Sequence, residues 1–477
     1  MKYLLTYLLI TVYWAVWSQG QISYLYEALP TDSISLKSID DHTSILPSIR
    51  QSQVINSPKN DSTKNRFEIG GLIDGALGFH KNTWGKSGLG FHISSELNKK
   101  WFFRFMALQS IGSSDSNFMP KSAFQYADKS NDYFTDLRAR VGYTPNSFFH
   151  FQVGLDQHFI GEGSRSLFLS DYGKPFPYGQ IRVKFWRVEY MVLYQFLGEK
   201  INSQFQHKNA TTHYVSFNAT KWLNIGVFES VVFQPKDTLF NRGYEVEYLN
   251  PVILFRPQEY GLGSSDNVLM GISIAAKYRK NTFYTQLLLD EFLLKEIRSR
   301  SKWWANKYGV QLGWKNYHQF EKVKSFHRIE MNLVRPYTYA HISGAQNYGH
   351  LHNPLAHPYG SSFTELALES KWTWKKFTFK LFANYFLQGG SKDSLNYGNN
   401  IYASYVNWPS EFGNKIGQGA GFNGVKTYIS AAWNIFPYQR WQIFLENHLM
   451  FTTLSKNLTY MPVIGIRSQL WNDYRNY

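Results

Sequence analysis

Apolar side chains recur at every second position along most of the chain after about residue 66. Segments 89–96, 268–277 and 377–385 show this alternation clearly, with polar or small residues at many of the positions between. Successive side chains of a β-strand point to opposite faces, so each segment would have one apolar and one more polar face. About eighteen segments of roughly 9–11 residues carry the pattern, and that is the length of a membrane-spanning strand in a barrel.

Aromatic residues lie at the ends of many of these segments, as in the aromatic girdles of lipid-embedded barrels. Examples are Trp101, Tyr143, Trp186 and Trp433. In lipid every backbone group must be paired, so a sheet with apolar outer faces must close on itself. The predicted fold class is all-β: a transmembrane antiparallel β-barrel of about 18 strands, with lumenal or periplasmic plug segments and short helices. A soluble propeller is the alternative, but no fixed repeat of about 40–50 residues is present.

The N-terminus carries the pattern of an export signal. Lys2 is followed by an apolar run over 3–17 and by the small residues Ser18 and Gly20, which is typical of a cleaved secretory signal peptide. We therefore predict a signal peptide at 1–20 and a periplasmic lead-in or plug segment at 21–65. The predicted barrel, with its lumenal and extracellular loops, occupies 66–477. Export and a lipid-facing barrel together predict the outer membrane of a Gram-negative bacterium.

Composition narrows the function classes further. The 477 residues include 18% aromatic residues and no Cys, and the formal net charge is +16. Without Cys there is no disulfide scaffold, cysteine nucleophile or thiolate metal site. The negative mean hydropathy of −0.36 argues against a polytopic helical membrane protein. A basic exported protein is expected to meet acidic lipid headgroups or acidic polysaccharides rather than nucleic acid.

The first candidate site is a Gly-bracketed turn that carries Glu162, Arg165 and Asp171. Arg165 could form a bidentate contact with the carboxylate of an acidic sugar. Alternatively, an internal pair of Arg165 with Glu162 or Asp171 could join a plug to the barrel wall. No G-x-S-x-G, H-E-x-x-H or phosphate-loop motif occurs, so we predict neither an enzyme nor a cofactor.

Two further polar clusters follow along the chain. Arg256, Glu259, Asp266 and Asn267 lie in the stretch 245–267, where capping of a following element is favoured over a hard-cation site. The other cluster consists of Arg335, His341, His350, His352 and His357. It suits a lumenal polar network or glycan contacts, and a divalent metal is the third possibility. We treat all of these residues as candidates for polysaccharide binding or a lumenal polar network, and we assign no metal site.

Several strings of this sequence, taken together, resemble a known family. They lie at 151–156, 161–171, 248–251, 256–259, 263–267, 290–292, 335–339, 347–350 and 355–358. As a set they are similar to the Wzi-like capsule-assembly family of outer-membrane barrels. The similarity is greater to its Bacteroidota branch, which includes gliding-motility proteins of the RemB type. It extends from about residue 66 to the C-terminus.

This resemblance implies an eighteen-stranded barrel with helices that plug its periplasmic side, and a lectin that anchors capsule or exopolysaccharide. In the gliding branch it also implies a role in motility or adhesion. We therefore expect a non-catalytic, monomeric barrel that binds surface polysaccharide. The alternatives are a diffusion channel and a structural partner of a gliding or secretion machine. The expected partners are outer-membrane lipid, surface polysaccharide and proteins of such a machine.

Overall fold

The structure is a computed structural model, and it describes most of the chain in several stretches. The described residues are 42, 44–46, 65–79, 83–98, 100–112, 133–201, 204–236, 243–245, 247–250, 266–291, 293–406, 408–436 and 441–468. The predicted signal peptide and two candidate site residues, Arg256 and Glu259, lie outside the described residues.

Eighteen antiparallel strands form one closed barrel, as the alternating pattern predicts. In chain order the described strands are β1 (Ile45–Leu46), β2 (Asn65–Phe79), β3 (Thr83–Leu97), β4 (Trp101–Gly112), β5 (Tyr133–Tyr143), β6 (Phe149–Asp156), β7 (Phe159–Ile160), β8 (Phe176–Phe185), β9 (Val188–Ile201), β10 (Gln204–Asn218), β11 (Leu223–Phe233), β12 (Asn267–Tyr278), β13 (Asn281–Glu291), β14 (Lys307–Phe320), β15 (Val323–Val334), β16 (Gly349–His350), β17 (Asn353–Pro354), β18 (Phe363–Trp374), β19 (Phe377–Gln388), β20 (Phe422–Phe436), β21 (Trp441–Thr452) and β22 (Leu458–Ser468). The short strands β1, β7, β16 and β17 stand outside the barrel sheet.

Helical structure is sparse in the described part of the chain. It consists of α1 (Leu294–Arg298) and the 3₁₀ turns Glu247–Leu249 and Gly344–Gln346. None of the described helices has the length and apolar character needed to cross a bilayer.

The barrel closes where the first of its strands pairs with the last. Asp74 of β2 lies opposite Arg467 of β22, and Gly78 lies opposite Val463. Strand length ranges from 8 residues in β6 to 15 in β10, so the expectation of about 9–11 residues is too narrow. Tilt lengthens a strand that crosses the bilayer, and several strands are long enough to extend beyond it.

The outer face of the barrel is apolar and exposed. On β3, Leu89 and Phe91 point outward and are 58% and 45% exposed. The next residue, His92, points inward and is 7% exposed. Trp101 and Tyr143 pack on neighbouring outer positions with ring centroids 4.4 Å apart. Both residues belong to the predicted girdle. An exposed apolar belt with aromatic ends is the surface that lipid requires.

The two ends of the barrel differ in their connections. Tight turns, such as 186–187 and 375–376, lie at the same end as the start of β2 and the end of β22. The long connections, including 157–175, 335–362 and 389–421, lie at the opposite end. In outer-membrane barrels the long loops are extracellular and the short turns are periplasmic. We name the two ends accordingly.

Two of the long connections, 157–175 and 335–362, fold into the lumen, and we call them together the plug. They form a buried apolar cluster with the walls of β8–β13, including Leu167, Phe168, Tyr214, Phe228, Leu288, Tyr339, Tyr348 and Leu355. Phe168 stacks on Phe228 of β11 with centroids 4.6 Å apart. The Phe168 ring occupies the space that a side chain at Gly271 would fill. The family resemblance implies helices for this role. Among the described residues, however, these two loops enter from the extracellular end and contain no α-helix. Residues 44–46 of the predicted lead-in or plug segment 21–65 join them, because β1 pairs with β7 and Ile45 is buried in the same cluster.

A charge on the lipid-facing belt should destabilise the barrel according to its depth. Ile429 is at the middle of β20 and is 48% exposed. We expect Ile429→Arg to lower the free energy of unfolding from lipid vesicles by about 2–4 kcal/mol, because arginine is costly at the bilayer midplane. Leu454, 74% exposed in the extracellular turn 453–457, is the matched control, and Leu454→Arg should have little effect. Equal effects of the two variants in urea titrations would contradict a lipid-facing exterior.

Candidate functional site

A carboxylate on the barrel wall holds the first plug loop through backbone amides. Glu330 of β15 accepts hydrogen bonds from the amides of Ser164 and Arg165, at 2.9 and 3.2 Å. It also accepts bonds from the Tyr284 hydroxyl at 2.7 Å and from Asn332 Nδ2 at 3.0 Å. A side chain at Gly163 would collide with this carboxylate, so glycine allows the loop to approach it closely. The Gly-rich turn is therefore an anion-binding nest.

A second wall carboxylate, Glu365 of β18, gathers a buried charged group. Arg165 Nε lies 3.7 Å from Glu365 Oε2, and His357 Nε2 lies 2.9 Å from the same oxygen. Arg165 also stands over the ring of Phe382 at 5.1 Å. Burial lowers the pKa of His357, and the adjacent Glu365 opposes this shift. Arg165 therefore joins the plug to the barrel wall, which was one of the two interpretations of this turn. Its ion-pair partner is Glu365 of the wall, whereas the partner expected from the sequence was Glu162 or Asp171.

The other charged residues of the turn also lie on the lumen side. Glu162 forms an ion pair with Lys315 of β14, at a point well inside the barrel. Asp171 is 6% exposed within the same loop. The three predicted residues of this turn are therefore brought together in the plug, where a polymer at the cell surface would not reach them.

Asp266 and Asn267 attach the second plug loop to the top of β12. Asp266 accepts hydrogen bonds from the Tyr248 hydroxyl at 2.8 Å and from Gln346 Nε2 at 3.0 Å. Asn267 Nδ2 donates to the carbonyl of Gln346 at 2.9 Å. These contacts join two connections that are distant in sequence: the one between β11 and β12, and the loop 335–362.

Three of the predicted histidines contact different neighbours. Burial lowers the pKa of His341 to about 3, with Lys307 adding to the effect. Burial likewise lowers the pKa of His350 to about 3, and Lys208 adds to the shift. His350 Nδ1 accepts the amide hydrogen of Gly198, whereas His352 is half-exposed and contacts Glu199 at 3.2 Å. Leu351 and His352 have φ of 51° and 59°, so they form a hairpin turn and the two histidines do not share a face.

The described residues contain no group of three or more His, Asp or Glu side chains arranged to hold a metal ion. His357 resembles the base of a catalytic triad because Glu365 holds one of its ring nitrogens. Its other nitrogen accepts the amide of Tyr359 at 3.1 Å. Both ring nitrogens are thus occupied by structural partners, which suits a positioning role.

An aromatic cluster at the extracellular end was not anticipated from the sequence. It consists of Trp303, Trp304, Tyr337, Tyr405 and Trp408, and we call it the aromatic shelf. Trp304 stacks on Trp408 with centroids 4.3 Å apart and an interplanar angle of 15°. Trp304 and Tyr337 are buried, whereas Trp303, Tyr405 and Trp408 are half-exposed. Partly exposed aromatic rings can offer a flat apolar surface on which a sugar ring lies.

The shelf is assembled from connections about a hundred positions apart. The amide of Trp304 donates to the carbonyl of Glu411 at 2.9 Å. The predicted site residue Arg335 donates to the carbonyls of Trp303 and Asn306 at 3.0 and 2.8 Å. Arg335 therefore fixes the backbone that carries the two tryptophans. The adjacent pair Trp303-Trp304 after a basic run was the only signal of the shelf in the sequence.

Comparison with known proteins supports the fold. No protein-family model matches the chain, and no curated protein matches it. Among solved structures, Wzi of Escherichia coli aligns with a TM-score of 0.56 and 13% identity, over 85% of this chain and 84% of that chain. Wzi is described as a carbohydrate-binding β-barrel of the outer membrane that is involved in group 1 capsule assembly. At this identity the likeness is one of fold.

Structures of outer-membrane porins are also similar, with lower scores. OprD of Pseudomonas aeruginosa aligns with a TM-score of 0.44 and 8% identity, over 83% of this chain and 94% of that chain. A BenF-like porin from Pseudomonas fluorescens aligns with a TM-score of 0.47 and 9% identity, over 84% and 97%. This chain is an outer-membrane type of barrel, and its function has to be argued from its own residues.

Removing the buried cation should release the plug from the wall. In Arg165→Met the Glu365 carboxylate keeps His357 but loses its arginine, and breaking such a buried pair costs about 3–5 kcal/mol. We expect limited proteolysis to cut the loop 157–175 in this variant and to spare it in the parent. Arg187→Met, in an exposed periplasmic turn, is the control. The double variant Arg165→Met/Glu365→Leu should recover part of the protection. Unchanged resistance in the single variant would contradict this role for Arg165.

Acid should weaken the plug. The unfolded pKa of histidine is about 6.5, whereas the pKa of His341 and of His350 is lowered to about 3. Between these values the unfolded chain binds more protons than the folded one. The contribution of the two histidines to the free energy of unfolding is therefore fully present above about pH 6.5 and is lost as the pH drops. Protease resistance of the plug, measured from pH 7 to pH 4, should decline. The variant His341→Gln/His350→Gln should show a flatter profile, and an equally steep profile would contradict the assignment.

Proposed function

We propose that this protein is a non-catalytic outer-membrane barrel that binds surface polysaccharide at its extracellular end. The observation that carries the proposal is the aromatic shelf, with Trp303, Tyr405 and Trp408 half-exposed at the end that bears the long loops. Aromatic rings offer a flat apolar face to the C–H groups of a sugar ring, and neighbouring polar groups bond its hydroxyls.

The surroundings of the shelf suit such a ligand. Loop 389–421 is rich in Asn, Ser and Tyr, and Asn400 and Ser404 are exposed within it. Partly buried hydrogen bonds hold this loop in place, such as those from Gln418 Nε2 to the carbonyl of Tyr397 at 2.8 Å and to Asn414 Oδ1 at 2.9 Å. An ordered loop loses little conformational entropy when a ligand binds. One polymer chain can bind many copies of the protein, so weak binding at each copy would together retain the polymer firmly.

The plug supports binding at the surface over passage through the lumen. Its loops are attached to the wall through Glu330 and Glu365, and its apolar cluster fills the side of the lumen next to β8–β13. The fold likeness to Wzi, which is described as carbohydrate-binding, agrees with this proposal. The absence of a nucleophile motif, and the structural engagement of both His357 nitrogens, support a protein without catalysis or cofactor.

The finer assignments follow the sequence motifs. We propose export by the signal peptide at 1–20 into the outer membrane of a Bacteroidota cell, and a monomeric state in that membrane. We further propose the RemB-type branch, with a role in capsule attachment, gliding or adhesion. Copurification from gently solubilised membranes tests the link to a gliding or secretion machine. Recovery without any component of such a machine would argue against it.

Removal of the partly exposed tryptophans should weaken polysaccharide retention. We expect Trp303→Ala/Trp408→Ala to lower retention of purified protein on cell-derived polysaccharide by about tenfold or more, because stacked aromatic contacts carry about 0.5–1.5 kcal/mol each beyond their buried area. Trp186→Ala/Trp222→Ala, at the periplasmic end, is the matched control and should bind like the parent. Absence of retention by the parent protein at low salt would refute the proposed function.

A diffusion channel is the second candidate. A barrel of eighteen strands is wide enough to conduct unless it is filled. On the wall of β18 and β19, Lys371 and Lys380 lie opposite each other, face the lumen and are half-exposed, which favours a polar lumen on that side. Single-channel recording in planar bilayers separates the candidates. We expect no steady large conductance, and such a conductance in the parent protein would favour the channel.

A further inference from the structure

The hairpin that leads into the aromatic shelf carries an unusual excess of positive charge. Between β13 and β14, the basic residues Lys295, Arg298, Arg300 and Lys302 are all exposed. The one carboxylate among them, Glu296, is half-buried and accepts the Ser299 hydroxyl at 3.5 Å. At the base of the hairpin, Glu291 is engaged by Lys307 at 3.2 Å.

These four cations differ from the cations inside the barrel. Within the lumen, Arg138 pairs with Asp136, Arg182 with Glu189, Lys315 with Glu162, and Arg328 with Glu369. Among the described residues, no ion pair or hydrogen bond engages the charged groups of Lys295, Arg298, Arg300 or Lys302. Four exposed cations in eight residues repel one another unless an anion lies between them.

The hairpin is fixed against the same loop that supplies the shelf. The carbonyls of Ser301 and Lys302 accept the amides of Gly413 and Asn414, both at 3.0 Å. Arg300 and Lys302 have φ of 54° and 53°, a left-handed conformation that non-glycine residues rarely adopt. The pairing with loop 389–421 therefore sets the path of the basic hairpin directly beside Trp303.

We propose that the surface polysaccharide bound at the shelf is acidic, and that this basic hairpin is the subsite for its carboxylates. This inference rests on the proposed function and names its ligand class. The aromatic faces take the sugar rings, while guanidinium and ammonium groups contact carboxylates of the neighbouring units. Arginine forms bidentate pairs with carboxylates, and exposed pairs of this kind weaken as salt screens them. Because stacked rings favour a sugar, a polymer fits this surface better than a lipid phosphate does.

The experiment compares one polymer in two charge states. Protein in lipid nanodiscs is passed over polysaccharide extracted from the surface of the producing cells, and over the same material after its carboxyl groups have been reduced to alcohols. We expect retention of the intact polymer to exceed that of the reduced polymer by about tenfold at low salt, and the difference to shrink near 0.5 M salt. Equal retention of both polymers overturns this inference and leaves the proposed function standing. Retention of neither overturns both.

Charge variants locate the subsite. Lys295→Gln/Arg298→Gln/Arg300→Gln/Lys302→Gln should lose about tenfold in retention of the intact polymer and little for the reduced one. The matched control removes four exposed charges from the periplasmic turns: Lys221→Gln/Lys280→Gln/Lys322→Gln/Lys376→Gln. It should bind like the parent. If the hairpin variant instead loses binding of lipopolysaccharide vesicles and keeps the acidic polymer, the hairpin recognises lipid phosphate and the proposal is wrong.

Discussion

The pairing of every backbone amide in lipid is the constraint on which this structure depends. Hydrocarbon offers no hydrogen-bond partners, so the eighteen strands must close, and β2 pairs with β22 to complete the cylinder. Closure turns every second side chain toward lipid and the remaining ones toward a lumen. The apolar exterior, the aromatic ends and the separation into short and long connections all follow from that closure.

Closure also creates a wide lumen, which this chain fills with its own loops. The contents are not held by apolar packing alone. Glu330 and Glu365 project from the wall and receive backbone amides, an arginine and a histidine from the plug. A buried carboxylate is costly unless it is fully engaged, so each of these anchors also specifies the position of the loop that satisfies it. A fixed plug provides a firm base for the loops above it, where the shelf and the basic hairpin lie.

The sequence predicted the barrel well because alternation is a local property. Leu89, Phe91 and His92 already show which side faces lipid, and no distant residue is needed to interpret them. A contact between plug and wall was one of the two interpretations of the Gly-rich turn. Its anchors, Glu330 and Glu365, could not be deduced because they follow Arg165 by more than 160 positions. The shelf was missed for the same reason, since Trp304 meets Trp408 only through the conformations of two loops, which periodicity does not encode.

The central claim is that a plugged barrel presents a sugar-binding surface at its extracellular end. Hydrogen exchange of the reconstituted protein, with and without the cell-derived polysaccharide, tests this most directly. The account predicts slower exchange on binding in 293–306 and 403–415, and unchanged exchange in the plug loop 157–175. Slower exchange inside the lumen, with none at the extracellular loops, would contradict it.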